Sequence, residues 1–153
     1  MVRVNRYLAM LVVLLGVVSL VVGILFIAQS VGVRGDIVEG LRAERVILGL
    51  PEVDEEGYIE GDVVDTAAEA QVAQGILEEH LRDSYGTYGD TERGSPERTS
   101  YLDGTTLRNS LNLATMGFGV TTVIIVTGVF MIIVGIALGV SGVTVFRLAM
   151  ATR

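Results

Sequence analysis

Two long uncharged, mostly aliphatic runs flank a polar, charged middle. Residues 7–33 and 109–146 contain no Asp, Glu, Lys or Arg, and all eighteen acidic residues lie between Asp36 and Asp103. The apolar core of the first run, Leu8 to Ile27, is long enough to cross a hydrocarbon layer of about 30 Å. Arg3 and Arg6 before it and Ala28-Gln29-Ser30 after it mimic a secretory signal. The apolar run is longer than a usual signal body, so an uncleaved signal anchor is expected. The second run would extend about 57 Å as a helix, nearly twice what a bilayer covers. Its most apolar part is Val120 to Val140, so the surplus falls mainly on Leu107 to Gly119 and something besides lipid must cover it.

Between the runs, near-helical alternation of Ile37, Leu41 and Leu48 with Asp36, Glu39, Arg42, Glu44 and Arg45 predicts that the first helix continues to about residue 48. Gly49 and Pro51 would then stop it. Residues 52–65 read as an acidic loop, with a short extended piece at Tyr58 and Ile59. A second helix is predicted over 66–84, capped by Asp65 or Thr66, with Glu69 in its first turns. Its packing face would hold Val72, Ala73, Ile76, Leu77 and His80. Residues 85–100 read as an irregular loop, with Asp103 to Thr106 capping the helix that becomes the second span.

The expected fold is therefore an all-α membrane protein: a two-span transmembrane helical hairpin with a small helical cap outside the cytoplasm. Its parts are a basic tail (1–6), a first span (7–33), an acidic cap (34–108), a second span with an extramembrane extension (109–146) and a short tail (147–153).

Composition supports this division. Half of the 153 residues are hydrophobic, yet 19% are charged, and the mean hydropathy is +0.57. Val31 to Arg108 carries eighteen acids and seven arginines, a net of −11, while the tails carry only Arg3, Arg6, Arg147 and Arg153. Purely basic tails favour a cytoplasmic location for both termini, and long loops cross a membrane largely regardless of their own arginines. The localisation expected is the plasma membrane. The acidic middle argues against nucleic acid or anionic lipid heads as partners. Cysteine is absent, which removes disulfides and thiolate metal sites.

The spans offer packing residues. On the first, Ala9, Gly16, Ser19, Gly23 and Ser30 lie on one narrow face. On the second, Gly117, Gly128, Gly135, Gly139 and Gly142 form a stripe with Thr121 beside it. Small residues let helix backbones approach closely, and a run of glycines in a helix implies a packing gain that offsets its propensity cost. Two arrangements satisfy the stripes: the two spans of one chain meet each other, or one stripe docks a different chain. Thr115, Thr121, Thr122 and Thr127 can return their hydroxyls to carbonyls one turn earlier. Neither span holds an ionisable group, the usual mark of an ion pathway or transport site.

Candidate chemistry is sparse. His80, the only histidine, reads as a packing or surface residue. Asp54, Glu55, Glu56, Glu60 and Asp62 do not match the spacing of a calcium loop and read as a solvated acidic patch. Tyr58, Tyr85, Tyr88 and Tyr101 fit a small core, an interfacial belt or a partner-binding patch. No phosphate-binding glycine loop, activated nucleophile or metal-ligand set is present, so no cofactor, metal or catalytic residue is expected.

Several segments resemble a group of small two-span bacterial membrane proteins from high-GC lineages. They are Leu41-Arg42-Ala43-Glu44-Arg45-Val46, Asp65-Thr66-Ala67 with Ala70-Gln71, Ile76 with His80, and above all Thr106 to Ala114 followed by Gly117-Phe118-Gly119-Val120. The resemblance covers most of the chain and implies no established activity. Some members carry the label of aromatic ring-opening dioxygenases. That chemistry calls for iron held by two histidines and a carboxylate, which a single histidine does not supply. The function expected is a non-catalytic accessory or scaffold subunit of a larger membrane assembly, or a homo-oligomer, with the lipid bilayer and a protein within it as partners. The alternative is an extracytoplasmic sensor or a ligand- or cation-binding module anchored by the two spans.

Overall fold

The computed structural model describes residues 2–48 and 61–151, with side chains from Tyr7 onward. The described residues form three helices: α1 (Val2–Glu44), α2 (Ala67–Tyr85) and α3 (Pro96–Ala151). They contain no strand beyond an isolated antiparallel bridge between Ile47 and Val63. Two compact units result. One joins α1 up to Val33 with α3 from Thr121 onward, and the other comprises Arg34–Val120.

In the first unit, successive contacts step in opposite chain directions. Val13 lies against Gly142, Gly16 against Gly135 and Gly23 against Gly128, so the two helix segments are antiparallel. Ala9 and Thr121 are buried, and the large aliphatic side chains point outward.

The second unit is built around Leu48, Val64, Ala70, Ala73 and Leu111, with Leu41 and Val46 packed against them. Its path departs from the predicted one in three places. First, α1 ends at Glu44 and not near residue 48. Arg45 adopts the left-handed conformation, with φ of 48°, and its N–H closes the turn on the Arg42 carbonyl. Val46 to Leu48 then run extended, exchanging backbone hydrogen bonds with residues 61–64 at 2.9–3.1 Å. Val46 and Ile47 are β-branched and favour the extended state. The pairing buries Leu48 and Val64 completely and satisfies both backbone groups of Leu48 and the N–H of Val64, which a further helical turn would not do for both segments.

Second, α2 is rotated from its predicted face. Thr66 is its N-cap, forming a reciprocal capping box with Glu69, but the buried residues are Ala70, Ala73 and Leu81. Small alanines let the helix approach the core closely, and Leu81 reaches Gly104, where even a methyl group would meet it at 2.6 Å. Ile76 and Leu77 lie at the edge, and His80 is exposed.

Third, α3 starts at Pro96, well inside the predicted loop. The Ser95 hydroxyl accepts the Arg98 N–H at 3.1 Å, and proline at the first helical position is preset for the helix and needs no N–H partner. Asp103 to Thr106 therefore lie inside the helix and do not cap it. The Thr105 and Thr106 hydroxyls donate to carbonyls one turn back.

The predicted extended piece at Tyr58 and Ile59, and the acidic patch apart from Asp62, fall outside the described residues.

Candidate functional site: the glycine contacts and the acidic unit

Glycines of α1 and α3 bring the two backbones close together in the first unit. A Cβ placed on Gly23 would sit 2.6 Å from the Gly128 carbonyl oxygen, and one on Gly128 would sit 2.8 Å from the Gly23 oxygen. One on Gly16 would lie 2.8 Å from the Gly135 oxygen and 2.9 Å from the Gly139 nitrogen. A Cβ on Gly142 would lie 2.6 Å from Val13 Cγ2, 3.0 Å from the Val13 nitrogen and 3.2 Å from the Ala9 carbonyl oxygen. Only glycine admits contacts of this kind without the backbones moving apart. Between them, the Ser19 hydroxyl donates to the Met131 carbonyl at 2.7 Å. That bond crosses between helices, instead of returning to its own helix as Thr115 and Thr127 do.

Not every residue of the stripe has the same role. The Cβ direction of Gly139 is open, and Gly139 contributes its backbone to the seat of Gly16. Gly117 belongs to the second unit, where its only close neighbour is the Ile37 side chain, whose Cδ1 would lie 2.8 Å from an added Cβ. The angular spacing that unites these five glycines in sequence does not reveal this division.

The opposite faces are aliphatic and open. Leu11, Leu14, Leu15, Val18 and Leu25 on α1, and Val123, Val126, Ile133, Ile136 and Val140 on α3, are all more than half exposed. Two helices are long and apolar enough to cross a membrane, and only 11% of the most apolar window of each is buried. A core helix of a water-soluble domain would be mostly covered.

The second unit carries the charge. Arg42 donates through two nitrogens to Asp65 at 2.9 and 2.6 Å, tying the end of α1 to the start of α2. Glu78 receives both Arg82 and Arg108, at 2.9 and 3.5 Å. Arg34 lies 5.4 Å from the ring centre of the buried Phe118. Sequence patterns give no hint of the clasp in the loop after α2. There Arg98, reaching back from the first turn of α3, stacks 4.3 Å over Tyr88 and donates to the Tyr88 carbonyl and the Thr91 hydroxyl. Tyr101 lies 6.3 Å from Tyr88, ring centre to ring centre, so these two tyrosines belong to one local cluster. In the same loop, the backbone N–H and then the hydroxyl of Thr87 hold the Asp90 carboxyl below its ordinary range. At the start of α3, the Glu97 amide and the Ser95 hydroxyl act likewise on Glu97. Among the described residues, no group of three or more His, Asp or Glu side chains is arranged to hold a metal ion.

Compared with known proteins, the chain matches no family model, no curated protein and no solved structure.

Proposed function

We propose that this chain is a non-catalytic integral membrane protein: a two-span helical hairpin, joined along its glycines, that holds a compact acidic cap outside the cytoplasm as an accessory or scaffold subunit. One observation carries the reading. The small residues of both helices face each other, while their large aliphatic side chains stay exposed, an arrangement that is costly in water and suits lipid. It also favours the first of the two uses of the glycine stripes. With Gly16, Gly23, Gly128 and Gly135 seated within one chain, the stripes serve the hairpin, and partners are met through the cap or the aliphatic faces. Basic tails favour a cytoplasmic location for both termini. The resemblance to small two-span membrane proteins agrees with this reading.

Two measurements test it. The chain should remain in the membrane fraction after an alkaline carbonate wash; release into the supernatant would refute membrane integration. In mild detergent, native mass measurement should find it with another chain or with a second copy. A lone 16.3 kDa species in every detergent would refute the subunit role.

A further inference from the structure

The described residues of the Arg34–Val120 unit line an apolar groove. A groove of about 830 Å³ is lined by Ile37, Leu41, Leu107, Leu111 and Ala114, with Asp36, Glu44 and Arg45 also on its walls. It adjoins a second hollow of about 300 Å³ beside Ile76, Leu77 and His80, and the two share Val46, Ile47, Leu107 and Leu111. Leu111 forms the floor and is part of the core. At the rim, Leu113 is 68% exposed and Ile47 61%. In a segment dense with charge, aliphatic residues concentrated in one groove mark an interaction surface, whereas apolar residues scattered singly would not.

Shape and charge narrow the occupant. The first groove lies between helical segments of α1 and α3, the setting in which an amphipathic helix lays its apolar face into a hydrophobic trough. Two carboxylates, Asp36 and Glu44, stand against one arginine, Arg45, among the lining residues. The described residues between Val31 and Arg108 carry thirteen acids against seven arginines, a net charge of −6. A second copy would bring the same negative field and be repelled, as would an anionic lipid head, whereas a cationic flank would be attracted. We infer that this groove docks an amphipathic helix of a partner protein, with its aliphatic face on Leu107, Leu111 and Ile47 and with basic residues along its edges. The inference rests on the subunit role proposed above, but it is read by peptide binding and not by membrane retention, so the two can fail separately.

The test uses the full chain in phosphatidylcholine nanodiscs, with empty discs as the blank. The probe is a labelled synthetic helix of leucine and lysine, with leucines at i, i+3, i+4 and i+7. A leucine and glutamate helix of the same pattern is the comparison, and both are read by fluorescence anisotropy. The lysine helix should bind saturably and the glutamate helix at least about tenfold more weakly. The double substitution Ile47→Ser/Leu113→Ser alters two exposed side chains and should weaken binding by about tenfold, while Leu102→Ser, exposed but outside the groove, should leave it unchanged. Equal binding by the groove variant and the parent would overturn the proposal, because it would reduce the effect to general charge attraction. Equal binding of the two peptides would overturn the basic-partner assignment. Two further results would assign the groove to another occupant: binding that appears only when residues 49–60 are replaced by a glycine-serine linker, or a co-purifying phospholipid lost in the groove variant.

Discussion

Replacing Gly23 with alanine tests the contacts between α1 and α3 where they are tightest. The new methyl carbon would lie 2.6 Å from the Gly128 carbonyl oxygen, 2.9 Å from Ile132 Cγ1 and 3.2 Å from the Ile132 nitrogen. Two of these three neighbours are backbone atoms, so no side-chain rotation relieves the clash. Reaching ordinary contact at about 3.4 Å requires the helices to separate locally by roughly 0.8 Å, which also lengthens the nearby bond from Ser19 to Met131. Overpacking of this kind costs about 1–3 kcal/mol, against which alanine regains up to ~1 kcal/mol of helix propensity. The expected net loss is about 1–2 kcal/mol. Gly139→Ala adds a methyl into open space and should be neutral or mildly stabilising, and Gly117→Ala meets only the end of the Ile37 side chain. Because the chain has no cysteine, Leu8→Cys and Met150→Cys can carry a fluorescent donor and acceptor. Loss of energy transfer during titration with a denaturing detergent then reports helix separation. Gly23→Ala should shift the midpoint to lower detergent and Gly139→Ala should not. An equal shift from both, or none from Gly23→Ala, would refute the packing argument.

Three further outcomes follow from particular contacts. Ser19→Ala removes the interhelical bond and should destabilise the same transition by about 0.6 kcal/mol, and by no more than about 1.7; a larger loss would mean that Ser19 does more than donate to Met131. Arg45→Gly relieves the left-handed strain at the end of α1 and should raise the thermal midpoint of the cap by an amount worth up to about 1 kcal/mol, with a fall contradicting the observed turn. Asp90, stabilised as a carboxylate by Thr87, has a folded pKa below its unfolded value of about 3.9. Its contribution is therefore present above that pH and disappears as pH falls through the lowered folded value. The protection of the Thr87 amide from hydrogen exchange, taken relative to its intrinsic exchange rate at each pH, should hold near neutrality and fall as Asp90 is protonated in acid. Asp90→Asn should speed that exchange at neutral pH, and an unchanged rate would refute the assignment.

The parts of this fold that are readable in the sequence are those set by bulk physics. Long uncharged runs announce two apolar helices because a charge within either would be costly in lipid, and the structure is all-helical with two such helices. Wheel positions group the glycines, but they cannot say that Gly117 meets Ile37 while Gly128 meets Gly23, since that depends on the register between helices. Helix boundaries fail where tertiary burial outweighs local pattern. Leu48 continues the apolar spacing of α1, yet it is buried completely through an extended pairing with residues 61–64. Ser95-Pro96-Glu97 lies among glycine, threonine and serine that suggest a loop, although serine followed by proline is itself a helix start. The α2 face is only partly legible: Ala73 lies on the predicted face and is buried, but close packing selects the small Ala70 and Leu81 beside it in place of Val72 and Ile76. The Arg98 clasp joins Tyr88 and Thr91 across a loop turn and leaves no periodic trace.

The central claim, two spans holding an acidic cap on the far side of the membrane, is tested most directly by the reach of a membrane-impermeant maleimide in intact cells. Single substitutions Glu92→Cys, Met150→Cys, Leu15→Cys and Val126→Cys supply the positions in a background free of native thiols. The account predicts labelling of the Glu92 position in intact cells, of the Met150 position only after lysis, and of the Leu15 and Val126 positions in neither state without denaturation. Labelling of the Glu92 and Met150 positions from the same side, or ready labelling of the Leu15 or Val126 position, would contradict it.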